Sequence, residues 1–329
     1  MSNLRDIARD TALSVATVSR ALRSDPAVHP STRHKVLAAA KKLGYQFNPY
    51  VGQLMSSLRQ GRGEHHKGNL ALIWFDTNPA SNRHENMLVI RKSVHARAEE
   101  LGYTVDEFFR NEYTPKTLRS ILRSRGVRGI IISPPITTHG KTHLRMDLSG
   151  FAAISLGWAL VHPALHSVRF DHYRSMHMAL HHARHRFAGR IAAVWNFDIS
   201  RRADHVSRAA FLAYHPSGPA IADKLFFDIN RLQPAQVKTL LEKHRVECLI
   251  CEAEVTFPWL YDLIPPEHFI YLARPRQTAC FAWVDPRYDL LGKWGVDFLT
   301  STLQRGEYDI PTEPKTMEVP GTFNIPDTV

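Results

Sequence analysis

Ser14-Val15-Ala16-Thr17-Val18-Ser19-Arg20 puts hydroxyls, small apolar side chains and one guanidinium within two helical turns. Ser14 is placed to cap a helix running from Val15 to about Arg23. Leu13 before it and Val18 four residues in have the spacing of a hydrophobic staple. Val18, Ala21 and Leu22 then face inward, and Val15, Ala16, Ser19 and Arg20 face outward at the helix's N-terminal end. Val15 and Ala16 can press on thymine methyl groups, Thr17 and Ser19 can bond phosphates, and Arg20 has the length and fork to grip guanine O6 and N7. A helical protein-interaction domain with a solvated basic face is the alternative that the pattern leaves open.

A second set of candidates lies further along. Asp76, Trp158, Asp171 and Glu254 fall at or just past the ends of expected strands, where ligands of open α/β sheets bind. Carboxylates together with Arg208 suit hydroxyl groups, and Trp158 suits a ring face, so the mixture fits a sugar. Each has a plainer role beside it, with Asp171 as the cap of the next helix and Trp158 as core.

Other signals carry less. His177, His181 and His185 repeat at four-residue spacing, but no acidic or cysteine ligand accompanies them at motif spacing, which favours a solvated basic helix face over a metal site. Cys248 and Cys251 form a C-x-x-C inside the apolar run Val246 to Cys251, where structural thiols are expected. Gly61 and Gly63 make no phosphate loop, and G-x-S-x-G and HExxH are both missing. The sequence therefore points to no catalytic residue, no metal and no cofactor, and an enzyme is not expected.

These residues need elements to hold them. In the first fifth a helix carrying Leu4, Ile7 and Ala8, capped by Ser2 or Asn3, precedes the Ser14 helix. A third, pre-set by Pro30, has the stripe Val36, Ala39, Ala40 and Leu43 and is closed by Gly44. From Gly68 apolar strands alternate with amphipathic helices. Strands are expected over 69–75, 104–109, 129–133, 167–170, 191–195, 224–227 and 246–251. Helices are expected over 85–101, 117–125, 176–186, 205–214 and 235–244. Such βα winding predicts parallel sheets between helix layers, in two lobes around a cleft.

The 329 residues and 44% apolar content suffice for two or three lobes. The formal net charge is +11, and residues 1–63 carry +7 of it from ten cations and three acids, so most of the excess sits beside the candidate base-reading helix. Met1 leads into a polar amphipathic segment, and no apolar run approaches the roughly 20 residues of a membrane span, so a cytoplasmic protein with no membrane partner is expected.

LRDIARDTALSVATVSRALRSDPAVHPSTRHKVLAAAKKLGY resembles the DNA-binding head of the lactose-repressor (LacI/GalR) family of bacterial transcriptional regulators. The match lies in the S-x-x-T-V-S-R core and the T-R-x-x-V-x-x-A-A-x-x-L-G-Y third helix. Ala12 stands where the family usually has a turn glycine, and His29 where it usually has a serine cap. The body is similar to the type I periplasmic-binding-protein fold: VRGIIIS, VRFDH, RAAF and CEAE match family segments, with Arg128, His172, Ala210 and Glu254 as departures. The resemblance implies that Val15, Ala16 and Arg20 read bases and that Arg208 and Glu254 contact an effector. It also implies a hinge that becomes helical on DNA, with a leucine wedged into the minor groove. Leu54 has the family's spacing from Asn48, and Leu58 sits one turn beyond, after an apparent insertion at Met55 to Ser57. Gly52 weakens the isolated helix by about 1 kcal/mol.

The expected organisation is a helix-turn-helix domain over 1–47, a hinge over 48–66 and a two-lobed body over 67–329. One lobe would hold 67–166 with 286–311, and the other 167–285 with 312–329. The expected function is a homodimeric, ligand-responsive regulator, in family terms a repressor of carbohydrate genes, with operator DNA and a sugar effector as partners. A solute-binding protein and a sugar-processing enzyme with an accessory DNA domain are the competing readings.

Overall fold

The computed structural model describes residues 4–22, 28–45, 67–75, 85–133, 140–187, 190–228, 230–231, 233–252, 258–275 and 280–326. They fall into two compact units, 1–67 and 68–329. The calls for Leu54, Leu58, Asp76 and Glu254 lie outside the described residues.

The head holds α1 (Leu4–Thr11), α2 (Val15–Leu22) and α3 (Pro30–Lys42). Ile7, Val18, Ala21, Val36, Ala39 and Ala40 are buried together, one apolar stripe from each helix. Because eight-residue helices are marginal alone, this small core is what holds them. Ala12 takes the left-handed conformation, φ 55°, that the tight turn requires, which a glycine would adopt without strain. His29 caps α3, its Nδ1 accepting from the amide of Ser31 at 3.4 Å. Gly44, φ 61°, ends the helix, with the Tyr45 amide donating to the Ala40 carbonyl at 2.9 Å.

The body winds in order through β1 (Gly68–Trp74), α4 (Glu85–Glu100), β2 (Tyr103–Phe109), α5 (Pro115–Ser124), β3 (Val127–Ser133), β4 (Thr142–His143), β5 (Ala152–Leu156), β6 (Leu160–His162) and β7 (His166–Phe170). It continues with α6 (His172–Phe187), β8 (Ile191–Trp195), α7 (Phe197–Arg202), α8 (Val206–Tyr214), α9 (Pro219–Ala222), β9 (Phe226–Asp228), α10 (Pro234–Lys243), β10 (Cys248–Cys251), β11 (Phe269–Tyr271) and β12 (Ala282–Asp285). Last come α11 (Tyr288–Gln304), β13 (Thr316–Val319) and β14 (Thr322–Asn324).

Two six-stranded sheets result, in the orders β13-β7-β5-β3-β1-β2 and β14-β12-β11-β10-β8-β9. All pairings in them are parallel except the antiparallel β12–β14. Continuous apolar strands such as GNLALIW suit a sheet covered on both faces. The chain crosses between the sheets after β7, after β12 and between β13 and β14. Within the first sheet's cover, α11 presses on α4 at Gly292, where an added Cβ would lie 2.8 Å from the Ile90 carbonyl oxygen.

The strand pairing differs from the expected lobe boundary. β7 belongs to the first sheet, paired with β5 and with β13 from the last turn of the chain, so the first crossing falls after Phe170 and residues 316–319 return to the first lobe. A buried strand looks the same in either sheet, and its partner here lies 149 residues away. Helix α6 also begins four residues earlier than expected, because Asp171 caps it, Oδ1 accepting from the Arg174 amide at 2.8 Å.

Candidate nucleic-acid interface and ligand cleft

In the head, Ser14 Oγ accepts from the Thr17 amide at 3.0 Å and lies 2.8 Å from the Thr17 hydroxyl, so the expected cap is formed by these two side chains. With that end pinned, Val15, Ala16 and Arg20 stand exposed while Val18 and Ala21 are buried. Val15 keeps 43% of its surface exposed, a large fraction for a valine on a helix with a core available. Ser19 is half-buried beside Arg20. Two apolar side chains and a guanidinium thus share one accessible helix end, the arrangement that reads base edges in a major groove.

The body gathers a different set of groups. Glu252 follows the last residue of β10, His172 opens α6 just past β7, and Tyr288 opens α11 just past β12. Two of the three chain crossings therefore deliver a polar side chain to the carboxyl end of a sheet. Arg202, the last residue of α7, supplies the charge that bears on all three. Burial pushes the Glu252 carboxyl up to about 7 against the opposing pull of Arg202. Burial, then the charges of Arg202 and Arg169, pushes the His172 imidazole down to about 4. Burial followed by Glu252 raises Tyr288 to about 12.

None of these three side chains hydrogen-bonds to a described residue. A polar group deep in protein without a partner costs free energy unless it faces an open space. All three are partly buried beside strand ends, and one aromatic ring joins two of them: Phe170 stands edge-on to Tyr288 at 4.8 Å and lies 5.9 Å from His172.

Backbone strain collects beside this cluster. Asp204 and His205, just after Arg202, and Arg287, just before Tyr288, all have positive φ (51°, 56° and 64°). Such residues cost about 1–3 kcal/mol each and persist where surrounding structure holds them. Here Asp285 Oδ1 accepts from the Arg287 amide at 2.8 Å, and His205 Nδ1 lies 3.0 Å from Ser200 Oγ. Lys141, from the first lobe, pairs with Asp204 across the two lobes.

The expected body residues divide. Trp158 lies near the cluster, 6.2 Å from His172, but its indole N–H is spent on the Phe170 carbonyl at 2.9 Å and one ring face is covered by the Arg169 guanidinium at 3.5 Å. Asp171 is committed to capping α6. Arg208 pairs with Asp223 on α8's flank, its Nε buried without a partner. Cys248 and Cys251 are buried free thiols, pushed up by burial. His181 and His185 stack edge to face at 5.0 Å, and no group of three or more metal-ligating side chains occurs among the described residues. Glu252, Arg202 and Tyr288 went unnoticed in the sequence. For Glu252 the signal was present, since it follows directly on the apolar run that ends at Cys251.

The architecture is a helix-turn-helix head followed by a two-sheet α/β body. Residues 3–48 match the family described as bacterial regulatory proteins, lacI family. Catabolite control protein A of Priestia megaterium is 47% identical over 51 residues, which cover 16% of this chain and 15% of that protein. The sucrose operon repressor of Escherichia coli is 29% identical over 187 residues, covering 55% and 52%. The chain thus spans about half the length, or less, of these relatives. Among solved structures, a LacI transcriptional regulator from Lactobacillus brevis matches with a TM-score of 0.53 at 15% identity, covering 78% of this chain and 99% of its own. A transcriptional regulator CelR-cellobiose complex matches at 0.52 and 16%, covering 99% of both chains. The lacI-family match is thus carried by the head, residues 3–48, and the rest of the chain shares the fold of these solved structures.

Proposed function

We propose that this protein is a sequence-specific repressor that binds a pseudo-palindromic operator as a homodimer and changes its affinity when a small carbohydrate occupies the cleft between its lobes. The observation that carries the reading is the exposed Val15, Ala16 and Arg20 on a capped helix, with Glu252, His172 and Tyr288, which make no hydrogen bond to a described residue, beside the strand ends of the body. Relatives named for a sucrose operon and for a complex with cellobiose support a carbohydrate effector. A ligand that meets the two lobes differently in two states biases one of them, and the heads report it.

In this reading Val15, Ala16 and Arg20 contact bases, Ser14, Thr17 and Ser19 contact phosphates, and Leu54 or Leu58 enters the minor groove at the operator's centre. Arg208, Asp76, Glu254, Trp158 and Asp171 are joined as effector-site residues by Glu252, Arg202 and Tyr288. The protein works in the cytoplasm, and the bodies form the dimer. The test is selection of bound sites from random duplex DNA, repeated with a panel of carbohydrates. A two-fold-related consensus whose recovery changes with one carbohydrate is expected. Weak binding indifferent to sequence would sink the proposal, as would a body of residues 68–329 sedimenting as a monomer at micromolar concentration.

A further inference from the structure

Five histidines lie on α6, at positions 172, 177, 181, 182 and 185. The fold packs three of them against other elements. The His172 ring lies 5.9 Å from that of Phe170, the His177 ring lies 4.0 Å from that of Tyr214 on α8, and the His182 ring stacks on Phe323 of β14 at 3.8 Å and 11°. His181 and His185 stay exposed, one helical turn apart on one face, with ring centres 5.0 Å apart and planes at 71°. His181 also meets His182 edge to face at 5.4 Å. Beneath them Met176, Ala179, Leu180, Ala183 and Phe187 anchor the opposite face of α6 in the core of the second sheet, so the backbone that carries the pair is fixed.

Spacing alone does not favour a metal at this row of histidines, but the packing singles out one pair. Imidazole nitrogens bond a transition metal at about 2.0–2.1 Å, so at bond angles of about 90–110° two ligating rings have centres about 4.5–5.3 Å apart. The 5.0 Å separation of His181 and His185 falls in that range, and rotation about χ2, a soft torsion in an exposed histidine, is all that convergence of two nitrogens requires.

We propose that His181 and His185 chelate one divalent transition-metal ion on the outer face of α6, with Cu²⁺ held more tightly than Ni²⁺ or Zn²⁺. The preference follows the general order of first-row ions at nitrogen ligands. Both rings must be neutral to ligate. Burial, then the charges of Arg184, His185 and His177, holds the His181 imidazole below its ordinary range, which favours the neutral ring. No acid stands on α6, so water fills the remaining positions and the ion stays exchangeable. The chelate ties two turns of a helix that packs on β8, β10, β12 and β14, so an ion held by the folded helix stabilises the second lobe by mass action. The site is independent of the effector reading.

Copper(II) chloride added to the full chain at neutral pH tests this by electron paramagnetic resonance, with nickel(II) and zinc(II) compared by calorimetry. The first equivalent of Cu²⁺ should show splitting from two nitrogens and bind more tightly than the other two ions. His181→Asn and His185→Asn should each lose that equivalent, and His177→Asn and His182→Asn should keep it. Both ligand positions are exposed, so the metal-free variants should unfold at the parent's temperature; where one does not, the nitrogen splitting of the unaltered chain decides. No binding at micromolar Cu²⁺, a first equivalent with one nitrogen or none, or one that survives both His181→Asn and His185→Asn would overturn the proposal. So would equal loss in His177→Asn, whose ring is packed on Tyr214.

Discussion

The head and the body solve the same problem, presenting polar groups to a partner, in opposite ways. In the head the candidate base-reading side chains come from one eight-residue helix, capped by Ser14 and held by a core that its immediate neighbours contribute. In the body the cleft groups come from positions 172, 202, 252 and 288, brought together only when two sheets form and the chain crosses between them. The difference teaches what each site can tolerate. A local site fails when its helix fails, while a dispersed one fails when any of several long-range pairings shifts.

The largest effect is expected from Val18→Asp, which buries a carboxylate in the small head core. A cost of several kcal/mol exceeds what three short helices can absorb. Sequence-specific DNA binding should vanish in a mobility-shift assay while the body's thermal transition stays in place. Loss of the body's transition as well would show that the two regions are not independent.

Next comes Glu107, at the outer strand β2 of the first sheet. It accepts from Trp74 Nε1 at 3.0 Å and Arg91 Nε at 2.6 Å and lies 2.7 Å from His95 Nε2. These hydrogen bonds outweigh burial and hold its carboxyl down at about 2. A depressed carboxyl stabilises the fold above its ordinary pKa near 4.5 and loses that contribution as pH falls toward about 2. Glu107→Gln should cost about 1–3 kcal/mol at neutral pH and flatten the acid limb of the body's unfolding curve. An unchanged acid limb would break the claim that long-range bonds govern the body.

Arg20→Ala should remove about 1–3 kcal/mol of discrimination at one guanine per half-site. Selected sites should lose preference there and nowhere else; a uniform loss across all positions would make Arg20 a phosphate contact. The smallest effect belongs to Glu252→Gln without ligand. Because burial raises its carboxyl to about 7, ionising it destabilises the fold, so stability falls as pH rises from about 4.5 through about 7. The variant should be about 1–2 kcal/mol more stable at about pH 8 and little different at about pH 4.5, as read from thermal unfolding. In the hinge, Leu54→Ala is expected to cost more operator affinity than Leu58→Ala, and the reverse order would reassign the wedge.

How far each region could be read from sequence follows from the same contrast. The Ser14 cap, the inward Val18 and Ala21, and the Val36 stripe are local periodicities, and they stand where the 3.6-residue repeat puts them. The alternation of strand and helix in the body was legible in part, with Ile191–Trp195 right at both ends, but the central strand Ala152–Leu156 and the 17-residue helix Tyr288–Gln304 were not expected. The short strands β11 to β14 were not, since three or four residues, polar ones among them in TMEV and TFN, carry no period that separates strand from loop. Nor was the membership of β7, whose pairing with Thr316–Val319 is a contact between distant segments with no local trace.

Sequence by itself determined the architecture of this protein: local helix signals make the head, and repeated βα texture makes the body. Tertiary structure decided which body residues are engaged. It bonded Trp158 to the Phe170 carbonyl, Asp171 to the Arg174 amide and Arg208 to Asp223, while Glu252, His172 and Tyr288 make no hydrogen bond to a described residue. The physical reason is that whether a polar side chain is free to meet a ligand depends on which other groups the fold brings within about 3 Å of it, and that distance is not written along the chain.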